Sequence, residues 1–529
     1  MLFNSFEFIF LFLPIAVLIF FGIGSINYSN KHKIAILWLV AASLFFYGWW
    51  NPANLKLLLF SIFFNYAVGY ALRKRLTLKL SRKVLLTLAI AVNLALIGYF
   101  KYANFFADSV NHLIGTAFRL DPIVLPLAIS FFTFVQITYL VDAYRGETKE
   151  DNFFNYCLFV TFFPHLIAGP IVHHKDLMPQ FADKSIYRFK GEYLAVGLTI
   201  FFMGLFKKVV FADRIAVYAT PVFDAASQGL PLTFFEAWAG VLAYTLQLYF
   251  DFSGYSDMAI GASYLFGIKL PLNFDSPYKA VNIIDFWRRW HITLSNFLRE
   301  YLYIPLGGNR KGNFRRYLNL MITMLLGGLW HGAGWTFIFW GGLHGIYLVI
   351  NHQWRSFRRW LGHDLNKSHW FTQGISWFVT FLAVIVSWVF FRAKTLDAAT
   401  GILGAMTGAN GISLPKALLT KLGFMENFGI IRFDGITNST DLPIDYTIFA
   451  ITFLLFIAWC TPNTQQWMGK YNPITIKQPV INPSSNWSDR FWHKLQWQPN
   501  QLWAVASAFL TVISVLSLSR VSEFLYFQF

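Results

Sequence analysis

Long uncharged blocks alternate along this chain with short polar ones, most of them basic. "FIFLFLPIAVLIFFGIG" (Phe8 to Gly24) and "LLLFSIFFNYAVGYAL" (Leu57 to Leu72) are typical of the apolar blocks. Uncharged runs of about 17–25 residues match the hydrocarbon core of a bilayer. The pattern therefore predicts an all-α polytopic membrane protein of roughly eleven to thirteen segments. The early spans are expected at 6–24, 34–49, 55–72, 84–100 and 122–142.

Two apolar stretches do not read as simple spans. "TFFPHLIAGPIVHH" (Thr161 to His174) holds two prolines, a glycine and three histidines. It predicts a broken or re-entrant helix, which survives at membrane depth only where protein or a water-filled cavity surrounds the freed backbone. From Tyr317 to Trp354, 38 residues pass without an Asp, Glu, Lys or Arg. One helix of that length would measure about 57 Å, against a core of about 30 Å. A turn at "GGLWHGAGW" (Gly327 to Trp335) resolves the excess and sets His331 between two helices.

Residues 262–316 mix aromatics with arginines, too polar to span and too aromatic for a free loop. Interfacial helices on the cytoplasmic face are expected there, at about 280–316. The linear partition is a membrane core at 1–400, a polar insertion at 401–445, and C-terminal helices at 446–529 interrupted by a polar loop, 462–500.

Composition agrees with this picture. Residues are 56 % hydrophobic and 13 % charged, where a soluble chain carries about a quarter charged. The net charge of +17 resides in short loops such as "KHK", "RKRLTLKLSRK" (Arg73 to Lys83), "GNRKGNFRR" and "RSFRR". Such loops face the cytoplasm and meet anionic membrane lipids. No folded basic module accompanies them, which excludes nucleic acid as the partner. With loops 31–33 and 73–83 inside, the N-terminus lies outside. The first apolar block lacks a basic leader and a cleavage site, so it is expected to remain as a helix. Cys157 and Cys460 lie in apolar segments and offer neither a disulfide framework nor a thiolate metal site.

Ionisable residues inside a membrane segment are costly and become functional candidates. They are His331, His344, Asp251, Asp257 and the group His165, His173 and His174, with His291 in "WRRWHITLS" at the inner boundary. No HExxH and no close histidine pair points to zinc, so no metal is expected. Neither is there a GxSxG elbow for a hydrolytic triad. What remains is a histidine acting as general base toward an external hydroxyl, oriented by a second polar residue. Structural readings stand beside this one. His344 would hydrogen-bond a backbone carbonyl of a neighbouring helix, Asp251 and Asp257 would brace helices around Ser253, and "FWRRW" would be an interfacial anchor.

"DFSGYSDMAIGASYLFGIKLPLNFDSPY", "DFWRRWHITLSNFLREYLYIPLGGNRKG" and "GGLWHGAGWTFIFWGGLHG" follow one another in that order. With "FFPHLIAGPIVHHKDLMPQF" and "WVFFRA", the set resembles the membrane-bound O-acyltransferase (MBOAT) family, in its bacterial branch of polysaccharide O-acetyltransferases such as the alginate type. The resemblance implies a helical bundle around a central funnel or tunnel. It implies His331 as the principal catalytic residue and His291 as the second. It also implies acetyl-CoA as donor substrate, with no tightly bound cofactor. Arg288, Arg289, Arg299 and Arg310, with Trp287, are candidates to hold that donor, since Arg suits phosphates. Asp251, Ser253, Asp257, His344 and Trp330 are candidates to line the tunnel. The expected acceptor is an exported polysaccharide or cell-wall glycan, served directly or through a periplasmic SGNH-type acetyltransferase partner in the bacterial inner membrane. D-alanyl transfer to teichoic acid is the alternative within the family, though that branch lacks an extension like 403–529. A glycan or lipid transporter is the alternative of another class; transporters tend to carry internal repeats, and none is visible here.

Overall fold

The computed structural model describes residues 1–74, 80–148 except 119 and 122, 152–365, 369–414, 419–424, 431–433, 440, 444–475, 492, 495–519 and 524–525. Part of the basic loop 73–83, much of 403–445 and 462–500, and the end of "FLYFQF" lie outside the described residues.

The protein is a helical, multi-pass membrane protein. In chain order its first helices are α1 (Glu7–Ser25), α2 (Lys31–Gly48), α3 (Ala53–Lys74), α4 (Arg82–Ile114) and α5 (Ile129–Arg145). Next come α6 (Phe153–Thr161), α7 (Phe163–Leu166), α8 (His174–Ala182), α9 (Gly191–Ser227) and α10 (Phe234–Tyr264). The two short helices α11 (Ile283–Arg289) and α12 (Ile292–Leu298) lead to α13 (Gly312–His331), α14 (Trp335–Trp360) and α15 (Trp370–Arg392). After α16 (Leu396–Met406) the longer helices are α17 (Ile444–Cys460) and α18 (Gln501–Leu516). Among the described residues, five helices are long and apolar enough to cross a membrane: α1, α3, α4, α9 and α15. The other expected segments correspond to shorter or more polar helices.

The early spans fall where the apolar pattern puts them, with one shift. The segment expected at 122–142 is helical only from Ile129. Pro126, which lacks an N–H, precedes it, and Ala128 sits at φ 60° as the N-cap. The stretch 161–174 is broken as expected: α6 ends at Thr161, a single turn follows, and the chain is non-helical until His174.

The chain divides into two compact units, which do not follow the linear partition. The first comprises Met1–Phe206, Ser253–Asn273 and Pro462–Gln528; the second comprises Lys207–Phe252, Phe274–Thr461 and Phe529. In the first, buried amides hold α3 and α4 in register, Asn65 and Asn93 each donating to the other at 3.1 and 2.7 Å. A reciprocal pair satisfies both side chains where water cannot. His165, His173 and His174 are buried in this unit, His174 against the rings of Tyr139 and Phe159. The second unit holds α11 to α17 and the remaining histidine candidates.

Candidate active site

The uncharged run folds into a hairpin with its break where the length arithmetic requires one. α13 stops at His331, Gly332 and Gly334 are extended, and α14 begins at Trp335. Gly328 and Gly341 let the two helices nearly touch. A Cβ on Gly328 would lie 2.3 Å from the carbonyl oxygen of Phe337, and one on Gly341 would lie 2.3 Å from that of Met324. This crossing carries Trp340 to His331, ring centres 5.0 Å apart and edge to face. Trp330 and Phe391 close around the same imidazole at 5.0 and 5.2 Å. His331 is 5 % exposed.

His291 reaches this chamber from a corner. Asn282 caps α11 by accepting the Asp285 N–H at 3.0 Å, and α11 runs only to Arg289. The chain then turns through His291, whose φ of 43° and ψ of 53° are left-handed, before α12 begins. For a residue other than glycine this costs on the order of 1–3 kcal/mol and persists only where the surroundings enforce it. They do so here. Trp290 packs on Phe274, Phe286 and Trp388 at 4.9–5.7 Å, and the buried His291 ring meets Phe252 at 4.8 Å. Its centre lies 6.4 Å from that of His331. His291 stands between short helices that do not span, and burial pushes its imidazole down to about 3, so it is neutral near pH 7. The structure thus brings both expected histidines into one aromatic chamber.

His344 lies on α14, fully buried among Trp340, Trp287 and Phe286 at 4.9, 5.0 and 6.1 Å. The expected hydrogen bond to a neighbouring backbone carbonyl is not formed. Neither ring nitrogen has a hydrogen-bond partner among the described residues, because aromatic faces and edges, not backbone, surround it.

The two aspartates brace helices. Asp251 accepts from Lys208 at 2.7 Å, and Lys208 also reaches Asp213 at 2.8 Å. Sequence reading missed Lys208 and Asp213. The signal was present: a lysine inside "FFMGLFKKVVFAD", five residues before an aspartate, on a stretch that coils as a π-helix. An i to i+5 repeat brings such a pair together. In the other unit Asp257 accepts from Thr464 at 2.6 Å and Gln465 at 3.2 Å, tying the start of the polar 462–500 loop to α10. Ser253 lies in that unit too, buried, its hydroxyl without a partner among the described residues.

Of the arginines, Arg288, Arg299 and Arg310 are exposed. Arg289 is committed internally. Its Nε donates to Asp285 at 3.0 Å and its guanidinium to the Asp275 carbonyl at 3.2 Å. Among the described residues no three His, Cys, Asp or Glu side chains gather as a metal site would require.

A buried histidine pair at a glycine-broken hairpin is a site for proton transfer to or from a hydroxyl, and comparison with known proteins agrees. The membrane-bound O-acyltransferase family matches residues 85–391, more than half of the chain. The chain belongs to this family. The peptidoglycan O-acetyltransferase of Helicobacter pylori is 44 % identical over 490 residues, covering 88 % of this chain and 90 % of that protein. The protein named probable alginate O-acetylase AlgI of Pseudomonas putida is 45 % identical over 412 residues, covering 77 % and 80 %. The teichoic acid D-alanyltransferase of Streptococcus thermophilus is 28 % identical over 290 residues, covering 51 % and 69 %. As a family member with such relatives, the protein is an acyltransferase, and its match to the D-alanyl branch stops well short of the full chain.

Proposed function

We propose that this acyltransferase uses cytoplasmic acetyl-CoA to O-acetylate an exported polysaccharide or cell-wall glycan. The observation that carries the proposal is the pairing of His331 and His291, 6.4 Å apart in a buried aromatic chamber. The names of the relatives that match most of the chain supply the acetyl group and the glycan.

In this reading His331 accepts the proton of the acceptor hydroxyl, and the oxygen attacks the acetyl carbonyl. His291 donates a hydrogen bond to the carbonyl oxygen as negative charge grows on it. The carbon–sulfur bond breaks, CoA leaves as thiolate, and the proton held by His331 neutralises it. The exposed Arg288, Arg299 and Arg310 meet the phosphates of CoA, while Arg289 keeps the corner in shape. The protein sits in the bacterial inner membrane with its N-terminus outside. A periplasmic acetyltransferase takes the acetyl group onward where transfer is relayed.

The test is His331→Ala in the native host, with O-acetyl groups counted on peptidoglycan fragments and on exopolysaccharide separately. Loss from one of them, with the variant inserted at wild-type level, identifies the acceptor. Wild-type acetylation of both overturns the mechanism. D-alanyl transfer would instead leave acetylation intact and lower esterified D-alanine.

A further inference from the structure

We infer that His344, with the indole N–H groups of Trp287 and Trp340, forms a hydrogen-bonding station for the amide-bearing pantetheine arm of the acyl donor. The inference rests on the donor reading above and adds to it the place where the arm is held.

Three buried polar groups meet there. The ring centres of His344 and Trp287 are 5.0 Å apart, those of His344 and Trp340 4.9 Å, and those of the two indoles 5.9 Å. Both nitrogens of His344 and both indole nitrogens lack hydrogen-bond partners among the described residues. Buried polar groups are nearly always satisfied, and each exception calls for an explanation. Four such atoms in one triangle of side chains are better explained by a guest than by four separate defects.

The chemistry of the triangle narrows the guest. A neutral imidazole offers one donor and one acceptor, and an indole offers a donor alone. The guest must accept up to three hydrogen bonds and donate one. A secondary amide does this: its carbonyl oxygen has two lone pairs and its N–H donates. An acetyl or longer acyl chain does neither. Phe286, Trp388 and Tyr347 are the other rings against His344. They provide no cation to balance a phosphate.

Position points the same way. Across the hairpin Met324 faces Gly341 and Met321 faces Gly345, so the helices are antiparallel. Arg315 and Arg316 near the start of α13 and Arg355, Arg358 and Arg359 near the end of α14 therefore mark its open, basic end. His344 lies between that end and His331, about 15 Å short of the tip at 1.5 Å per residue over ten residues. A donor whose phosphates stay at the basic rim and whose thioester reaches His331 must pass this level.

The experiment measures binding to the full-length protein in nanodiscs, with two probes: CoA, and adenosine 3′-phosphate 5′-diphosphate, which lacks the arm. His344→Phe keeps an aromatic ring and removes both nitrogens; Trp287→Phe removes only the indole N–H. Each is expected to weaken CoA about tenfold, the usual cost of a lost buried hydrogen bond, and to leave the armless nucleotide unchanged. His344→Asn, which keeps a donor and an acceptor, is expected to recover most of the loss. Equal weakening of both probes, or undiminished CoA binding by both Phe variants, overturns the inference while the donor reading stands. Undiminished CoA binding with lost glycan acetylation would assign His344 to the acceptor and overturn it too. A wild-type protein that binds neither probe removes the donor reading and this inference with it.

Discussion

Two buried polar clusters in the same unit solve opposite problems. Around Lys208, charges are present and matched: the ammonium lies 2.7 Å from Asp251 and 2.8 Å from Asp213. Around His331, His291 and His344 there is no carboxylate, only rings at 4.8–6.4 Å. A matched ion cluster has its electrostatics closed and resists rearrangement. A neutral histidine cluster walled by aromatics keeps proton-accepting nitrogens in a dry place. The difference teaches that an ionisable residue in a membrane helix marks function less by its presence than by the lack of an opposite charge beside it.

Substitutions can break that comparison. The largest effect is expected from His331→Ala, a loss of about 10²–10⁴-fold in transfer rate with an unchanged melting temperature in detergent. A parallel fall in stability would make the chamber as structural as the ion cluster. Asp251→Ala should do the reverse, destabilising by about 3–5 kcal/mol because a buried charge loses its partner. The lower end applies, since Asp213 still faces Lys208. Normal stability with lost activity would move Asp251 into the chemistry. Next comes Gly341→Leu, which must part α13 from α14 and should cost about 1–3 kcal/mol as overpacking does, with activity falling as Trp340 leaves His331. Gly342→Ala is its control, because a Cβ there meets only a leucine methyl at 3.5 Å. The smallest effect separates the adjacent arginines. Arg289→Ala should lower stability by roughly 0.2–1 kcal/mol, as a partly exposed ion pair does. Arg288→Ala should leave stability alone and weaken CoA binding. The opposite pattern would exchange their roles.

Much of the fold was legible because bilayer thickness converts residue counts into topology. The hairpin at His331 and the break at 161–174 both followed from length, proline and glycine. The pairing of distant parts was not legible. Nothing in "FWRRWH" says that Arg289 turns back to Asp275, fourteen residues earlier, and no glycine or asparagine marks the left-handed backbone of His291. That conformation is imposed by the rings packed around Trp290, so it belongs to the tertiary structure. His344 was legible as a candidate. Its unsatisfied nitrogens were not, since they depend on Trp287 and Phe286 arriving from another helix.

The glycine crossing of α13 and α14 also fixes an angle. Each residue of an α-helix advances about 100° around the axis. His331, three residues beyond Gly328, therefore returns to within about 60° of the face that touches α14. Adding one residue between them would leave the crossing untouched and swing the imidazole by about 100°. The four letters from Gly328 to His331 are thus a phase setting, and the catalytic direction of the histidine is written in their number as much as in their identity.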